Sequence, residues 1–323
     1  MALPTLFFVD RSDRGRLRLT GRDRQSFLQG MVSNDVGRLA PGQGCYAFQL
    51  DATGHVLADM RVLCTEDALL LDVEPGLAPQ VAETLEKYLI MERCRIADVT
   101  AETGQLLIGG AGAAEFLMSV GIADAAGWPE GQNARSDAAS GEATALVAAT
   151  RLLPVPAFDA YGEPGALAAL RAGLAAAGAE EVPAEALEPY RIEAGVPRFG
   201  IDIDSRVLAP ETGQQARAIS YKKGCYIGQE IVARIDARGH TNRALAGFYL
   251  SEPVAPDTPV VGEDGREVGR VTSSALSPSL ALPIGLGYVR NTHAAPNTAV
   301  TVGGKPAQVA ALPFIAEGRA ATP

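Results

Sequence analysis

Residues 237–245, ARGHTNRAL, separate two kinds of patterning, and this break constrains the fold more than any other feature. Before it, strand-like and helix-like segments alternate. After it, helical periodicity vanishes. REVGRVTSSA, PIGLGYVRN and NTAVTVGGKPAQVAALPF are instead short strand-like runs set apart by Gly, Pro, Asp and Asn. Such a run predicts a compact antiparallel barrel or sandwich. The boundary is placed near residue 242, giving a region over 1–242 and a β domain over 243–323. A chain of 323 residues is too long for one ordinary core, so this division is expected on size alone.

The first region predicts an α+β arrangement with helices on one face of a sheet. GRLRLTG (15–21) is a strand, and residues 22–36 form a helix turning Phe27, Leu28 and Met31 inward. Residues 45–73 give three strands with turns at 52–54 and 66–67, and residues 75–93 give a second helix. Residues 124–143 are expected to be irregular, and the Ala/Leu-rich 163–179 a scaffold helix. Two interleaved subdomains are expected, with an approximate split near 45–105.

A net charge of −10 argues against general nucleic-acid binding, which needs a basic surface. Arg11, Arg14, Arg16, Arg18, Arg22 and Arg24 form a local exception. Alternation of Arg16 and Arg18 with Leu17 and Leu19 predicts a strand with a solvated face. No run reaches the ~18 apolar residues that would cross a bilayer. MALPTLFFVD lacks the basic leader of an export signal, and Asp10 and Asp13 argue against a mitochondrial transit peptide. A cytoplasmic setting with free thiols is the expectation.

Four cysteines, at 45, 64, 94 and 225, show no metal-binding spacing, and no metal is expected. An iron–sulphur cluster generally takes four protein thiolates, and no compatible group of four is offered. Cys225 stands apart because of its surroundings, KKGCYIGQEIVAR (222–234). Gly224 and Gly228 free the backbone for positive φ. A helix is expected to start at Gly228, with Glu230 supporting Arg234 one turn on. Cys225 then precedes a helix N-terminus beside Lys222 and Lys223, a setting that favours thiolate over thiol. A buried turn cysteine with two solvated lysines is the alternative, and the glycine frame with its lysines favours the reactive thiol.

Two carboxylates also stand out. Glu193 lies in EPYRIEAGVPRFGIDIDSRVLAPET, where acidic residues surround Arg191, Arg198 and Arg206 on a short helix ended by Gly195–Pro197. It either faces a cleft, accepting paired hydrogen bonds from an amino-heterocycle, or joins a surface ion-pair network. Asp59, in DATGHVLADMRV, shares a strand face with Leu57 and Arg61. It is either an exposed strand residue or a cleft acid paired with Arg61.

KGCYIGQE resembles the signature of the YgfZ family, folate-binding proteins that support iron–sulphur protein maturation. LTGRDRQSFLQGMVSNDV resembles the opening of the folate-binding region of that family and its relatives, the glycine cleavage T-proteins (aminomethyltransferases). RIEAGVPRFGIDID, GRVTSSALSPSLALPIGLGYV and ALPF extend the likeness over almost the whole chain. The resemblance implies an α+β ring of three domains around a central tetrahydrofolate site, with a C-terminal antiparallel barrel. It implies that Glu193 grips the pterin and that Asp59 assists one-carbon transfer while also contacting the cofactor. Lys223 and Cys225 match the motif's lysine and cysteine, with Gly224, Tyr226, Gly228, Gln229 and Glu230 completing it. Aminomethyltransferases carry a second acid before the aspartate, where this chain has Ala58.

The implied function is a tetrahydrofolate-binding accessory factor for assembly or repair of iron–sulphur clusters, tRNA-modifying enzymes among its clients. Cys225 would be its reactive thiolate, tuned by Lys223. Its partners would be folate, or a one-carbon derivative, and iron–sulphur client proteins, with no direct nucleic acid and no membrane. A true aminomethyltransferase is the alternative, and a folate-binding module with a structural Cys225 is a third reading.

Overall fold

The computed structural model describes residues 2–136, 144–239 and 241–316; His240, in the boundary segment, lies outside them. Three sheets organise the chain. A six-stranded sheet runs in the order Glu180–Glu181, Phe7–Asp10, Gly104–Gly109, Ala157–Gly162, Leu146–Ala149, Asn133–Arg135. A five-stranded antiparallel sheet runs Gly44–Leu50, Val56–Cys64, Ala68–Val73, Gly15–Thr20, Arg95–Asp98. The strands from Arg243–Tyr249 to Lys305–Ala310 close into a six-stranded antiparallel barrel. An α+β architecture with a C-terminal β-barrel is therefore what forms.

The first two sheets interleave in the chain. Strand Phe7–Asp10 opens the six-stranded sheet, residues 15–98 then supply all of the five-stranded one, and Gly104–Gly109 returns to the first. The five-stranded sheet thus begins at Gly15, ahead of the split expected near 45.

Helix periodicity decides which faces are covered. Phe27 and Leu28 of helix Arg24–Met31, with Val81 and Leu85 of helix Ala78–Glu86, pack on Leu17, Leu19, Val62, Leu69 and Leu71. Phe116 and Leu117 of helix Ala113–Ser119 pack on the other sheet with Leu167, Leu170 and Leu174 of helix Pro164–Ala176.

Two helices are shorter than their patterns suggest. Val32 is already extended, at φ −126° and ψ 158°, so the first helix ends at Met31. The second ends at Glu86, and Ile90 and Met91 beyond it are exposed, their amides bonded to the Glu92 carboxylate. Residues 124–136 are also less irregular than expected, since Asn133–Arg135 pairs with Leu146–Ala149; residues 137–143 lie outside the described part.

The arginine face departs furthest from expectation. Arg18 is exposed, but Arg16 is fully buried and donates to the carbonyls of Ser12, Arg14, Thr100 and Thr103. Five planar donors let one guanidinium satisfy several buried carbonyls, which a strand pattern cannot reveal. Arg11 and Arg14 are buried as well, joining the ion-pair network that fastens the two sheets together. At its centre one Arg61 nitrogen lies 2.8 Å from Asp72 and 2.9 Å from Asp159, two fully buried carboxylates. Arg14 pairs with Asp72 at 2.5 Å, Arg11 with Asp159 at 3.0 Å, and Tyr161 donates to Asp72 at 2.8 Å.

Candidate functional site

A cavity of about 910 Å³, including its mouth, opens where these units meet. Arg11, Asp13 and Arg14 line it from the first strand connection, Tyr46, Asp59 and Arg61 from the five-stranded sheet, and Glu188, Arg191 and Arg198 from the segment ahead of the barrel. Arg217 lines it from a fourth direction.

Asp59 is the carboxylate on this wall with a buried oxygen left without a partner. Strands Gly44–Leu50 and Val56–Cys64 pair so that Tyr46 is opposite Arg61 and diagonal to Asp59. The Tyr46 hydroxyl donates to Asp59 Oδ2 at 2.7 Å, while Oδ1 is buried without a partner. Burial, then the nearby Glu74 charge, push the Asp59 carboxyl up to about 6, against the opposing pull of the Tyr46 hydrogen bond, Arg14 and Arg61. The expected alternatives of an exposed residue or an Arg61 partner both give way: Arg61 is taken by Asp72 and Asp159.

Arg217 stacks over Tyr46, 4.8 Å from the ring centroid, and is fixed by Glu130 at 2.9 Å. Arg191 donates to Asp202 at 2.5 Å and to Ser273 at 2.6 Å, leaving a buried Nε without a partner. Among its buried atoms, the cavity wall thus carries one unfilled acceptor and one unfilled donor. Tyr46 and Arg217 escaped sequence reasoning, and Arg11 and Arg14 entered it only as part of a basic cluster. Plain register from the 52–54 turn would pair Tyr46 with Met60; the shift between Gln49 and Leu50 is what brings Tyr46 onto the face of Asp59, and nothing in the pattern marks that shift.

Glu193 does not line this cavity. It is fully buried, and its carboxylate accepts from the hydroxyls of Ser277 and Ser279 and from the Ser279 amide at 2.9 Å. The expected pterin grip is replaced here by an anchor to the barrel, because three donors from residues 277–279 already occupy the carboxylate.

The cysteine motif lies elsewhere. Cys225 is exposed, ahead of helix Gln229–Arg238, whereas Cys64 is buried and Cys45 and Cys94 are half-buried. Gly228 caps that helix at φ +84°, and a Cβ there would come within 2.6 Å of the Asp51 carbonyl oxygen. Gly224 has no positive φ and open space around it, so it is not the conformational requirement expected. Tyr226 is buried, its carbonyl accepting from the Gln229 amide at 3.2 Å, and Glu230 pairs with Arg234 at 2.7 Å.

Lys223 is not a free neighbour of the thiol. Its ammonium donates to the carbonyls of Gln29, Val32 and Asn34 at 2.6, 2.7 and 2.8 Å. Burial lowers it to about 8. No group of three or more His, Cys, Asp or Glu that could hold a metal occurs among the described residues, and no described helix is long and apolar enough to cross a membrane.

Residues 5–223 match the GCVT N-terminal domain, and residues 243–315 match the glycine cleavage T-protein C-terminal barrel domain. A chloroplastic protein of Arabidopsis thaliana, named as a candidate transferase, is 29% identical over 91% of this chain and 68% of its own length. The mitochondrial aminomethyltransferase of Gallus gallus is 30% identical over 92% of this chain and 79% of its own. In three dimensions the chain resembles the glycine cleavage system aminomethyltransferase T of Bartonella henselae. That likeness has a TM-score of 0.86 at 21% identity and covers 98% of this chain and 88% of the other, a likeness of fold.

Proposed function

Because the chain belongs to the glycine cleavage T-protein family, within the aminomethyltransferase superfamily, we propose that it binds tetrahydrofolate in the central cavity and serves iron–sulphur enzymes as an accessory factor. The observation that carries this reading is the buried, unpartnered Oδ1 of Asp59 on the cavity wall. A reduced pterin presents N–H donors and a carbonyl acceptor along one edge. Asp59 Oδ1 suits the first, and the unfilled Arg191 Nε suits the second. Half-exposed Arg198 suits the carboxylates of a glutamyl tail.

Tetrahydrofolate, when bound, supplies a carrier of one-carbon units. The chain's own residues bind, orient and handle a proton beside it. With its carboxyl near 6, Asp59 can hold or release a proton at Oδ1 close to neutral pH. Tyr46 fixes the other oxygen, so Oδ1 is the atom left for a ligand to meet.

Cys225 is the group assigned to the iron–sulphur clients, tRNA-modifying enzymes among them, and the cytoplasm is the setting proposed. It is the one cysteine of the four that is exposed. Two measurements test the pair of assignments. Calorimetry should show tetrahydrofolate binding that Asp59→Asn weakens; no binding to the wild type rejects the cavity assignment. In a deletion strain, Cys225→Ser should leave client-enzyme activity unrestored; full restoration rejects the thiol.

A second reading, aminomethyl transfer to tetrahydrofolate, is favoured by relatives that carry that name. Ala58 stands where that branch has a second acid. Ammonia release in an assay with a lipoyl carrier and tetrahydrofolate would decide for it.

A further inference from the structure

We propose that Lys223 is a positioning residue that couples occupancy of the cavity to the loop bearing Cys225; this rests on the folate-binding reading above. The path is continuous and made of short contacts. Lys223 uses all three of its N–H donors on the carbonyls of Gln29, Val32 and Asn34. Asn34 in turn donates from Nδ2 to the carbonyls of Tyr46 at 2.8 Å and Arg217 at 2.7 Å. Both of these residues line the cavity, and Tyr46 holds Asp59 at 2.7 Å. Only Gly224 separates Lys223 from Cys225 along the backbone, and on the far side the Ile227 amide donates to the Gly30 carbonyl at 3.3 Å. The thiol loop is therefore pinned on both flanks to the end of helix Arg24–Met31, the segment that also grips the wall of the cavity.

This assigns Lys223 a role other than charge stabilisation of the thiolate. Its ammonium is buried against carbonyls, 5.0 Å from the Tyr226 ring centroid, and is spent on holding geometry. A ligand that moves Tyr46 or Arg217 shifts Asn34, and the shift reaches the cysteine loop through the lysine. Coupling of this kind typically changes a binding or reaction constant by roughly 5–150-fold.

The test measures iodoacetamide alkylation of Cys225, read by peptide mass spectrometry so that the other cysteines do not contribute. The probe is 5-formyltetrahydrofolate, at saturation for each variant as fixed by calorimetry. The wild type should show a rate differing by roughly fivefold or more between free and loaded protein. In Lys223→Met, which keeps the length of the side chain and removes its donors, the ratio should fall to one. Asn34→Ala, which cuts the path at another point, should give the same loss if Lys223→Met does not fold. Ligand binding without a rate change in the wild type overturns the coupling alone, as does a ratio preserved in the variants. Failure of the wild type to bind the probe overturns the folate reading, and the coupling with it.

Discussion

Tyr46 and Asp59 meet across adjacent strands, hydroxyl to carboxylate at 2.7 Å, and the carboxylate's second oxygen is left buried and unmatched. The folded protein therefore binds a proton on Asp59 more tightly than the unfolded chain does, its carboxyl standing at about 6 instead of 3.8. Stability from this group is fully present below about pH 3.8, is lost as pH rises through 6, and stays low above it. Asp59→Asn should accordingly stabilise the protein at pH 7.5 by about 2–3 kcal/mol, and the gain should vanish once the pH falls below about 3. Urea unfolding at the two pH values measures it. The same substitution should weaken tetrahydrofolate binding, a trade of affinity against stability.

Tyr46→Phe removes the hydrogen bond that opposes protonation of Asp59. The carboxyl should rise further above 6, and the pH midpoint of folate affinity should move up with it. Calorimetric titrations from pH 5 to 8 follow that midpoint. An unmoved midpoint would mean that Asp59 does not control binding.

Arg61 is the cation shared by two fully buried carboxylates, Asp72 and Asp159. Arg61→Ala should cost about 3–5 kcal/mol in urea unfolding, because it takes the shared cation from both buried acids at once and leaves Arg14 as the cation on Asp72 and Arg11 as the cation on Asp159. Asp159→Asn should cost less, since Arg61 keeps its bond to Asp72.

Much of the fold was legible because it rests on periodicity. The hairpins over residues 45–73 and the barrel strands after residue 242 alternate as strands must, and Phe27, Leu28, Val81 and Leu85 mark helix faces. The site was legible only in part. Asp59 was found, but its partner Tyr46 lay outside both alternatives, since alternation shows which face a residue shares and not the register that a bulge between Gln49 and Leu50 sets. Asp159 reaches Arg61 from a strand far along the chain, and no local pattern encodes that meeting. Arg16 failed for the same reason: its burial depends on the carbonyls of residues 100 and 103.

The two motif glycines should behave differently. Gly228→Ala places a Cβ 2.6 Å from the Asp51 carbonyl oxygen, at a φ of +84° that alanine disfavours. A loss of about 1–3 kcal/mol is expected. Gly224→Ala meets open space without positive φ and should stay within about 0.5 kcal/mol of the wild type. Thermal unfolding of both variants makes the comparison, and equal losses would contradict the geometry of the loop.

Glu193→Gln distinguishes an anchor from a pterin grip. Its carboxylate is held by three donors from Ser277 and Ser279, and its backbone oxygen accepts from the Ile315 amide at 3.1 Å. Helix Glu188–Glu193, whose Glu188 and Arg191 line the cavity, is fixed to the barrel region through these bonds. An amide sets an NH2 group against donors that need an acceptor, costing about 1–3 kcal/mol of stability. Folate affinity should change by less than about threefold, because the substituted atoms do not reach the cavity. Calorimetry beside thermal unfolding separates the outcomes. A loss of affinity far larger than the loss of stability would mean that Glu193 leaves its serines to hold the ligand, and that the barrel segment at 277–279 opens when the cavity fills.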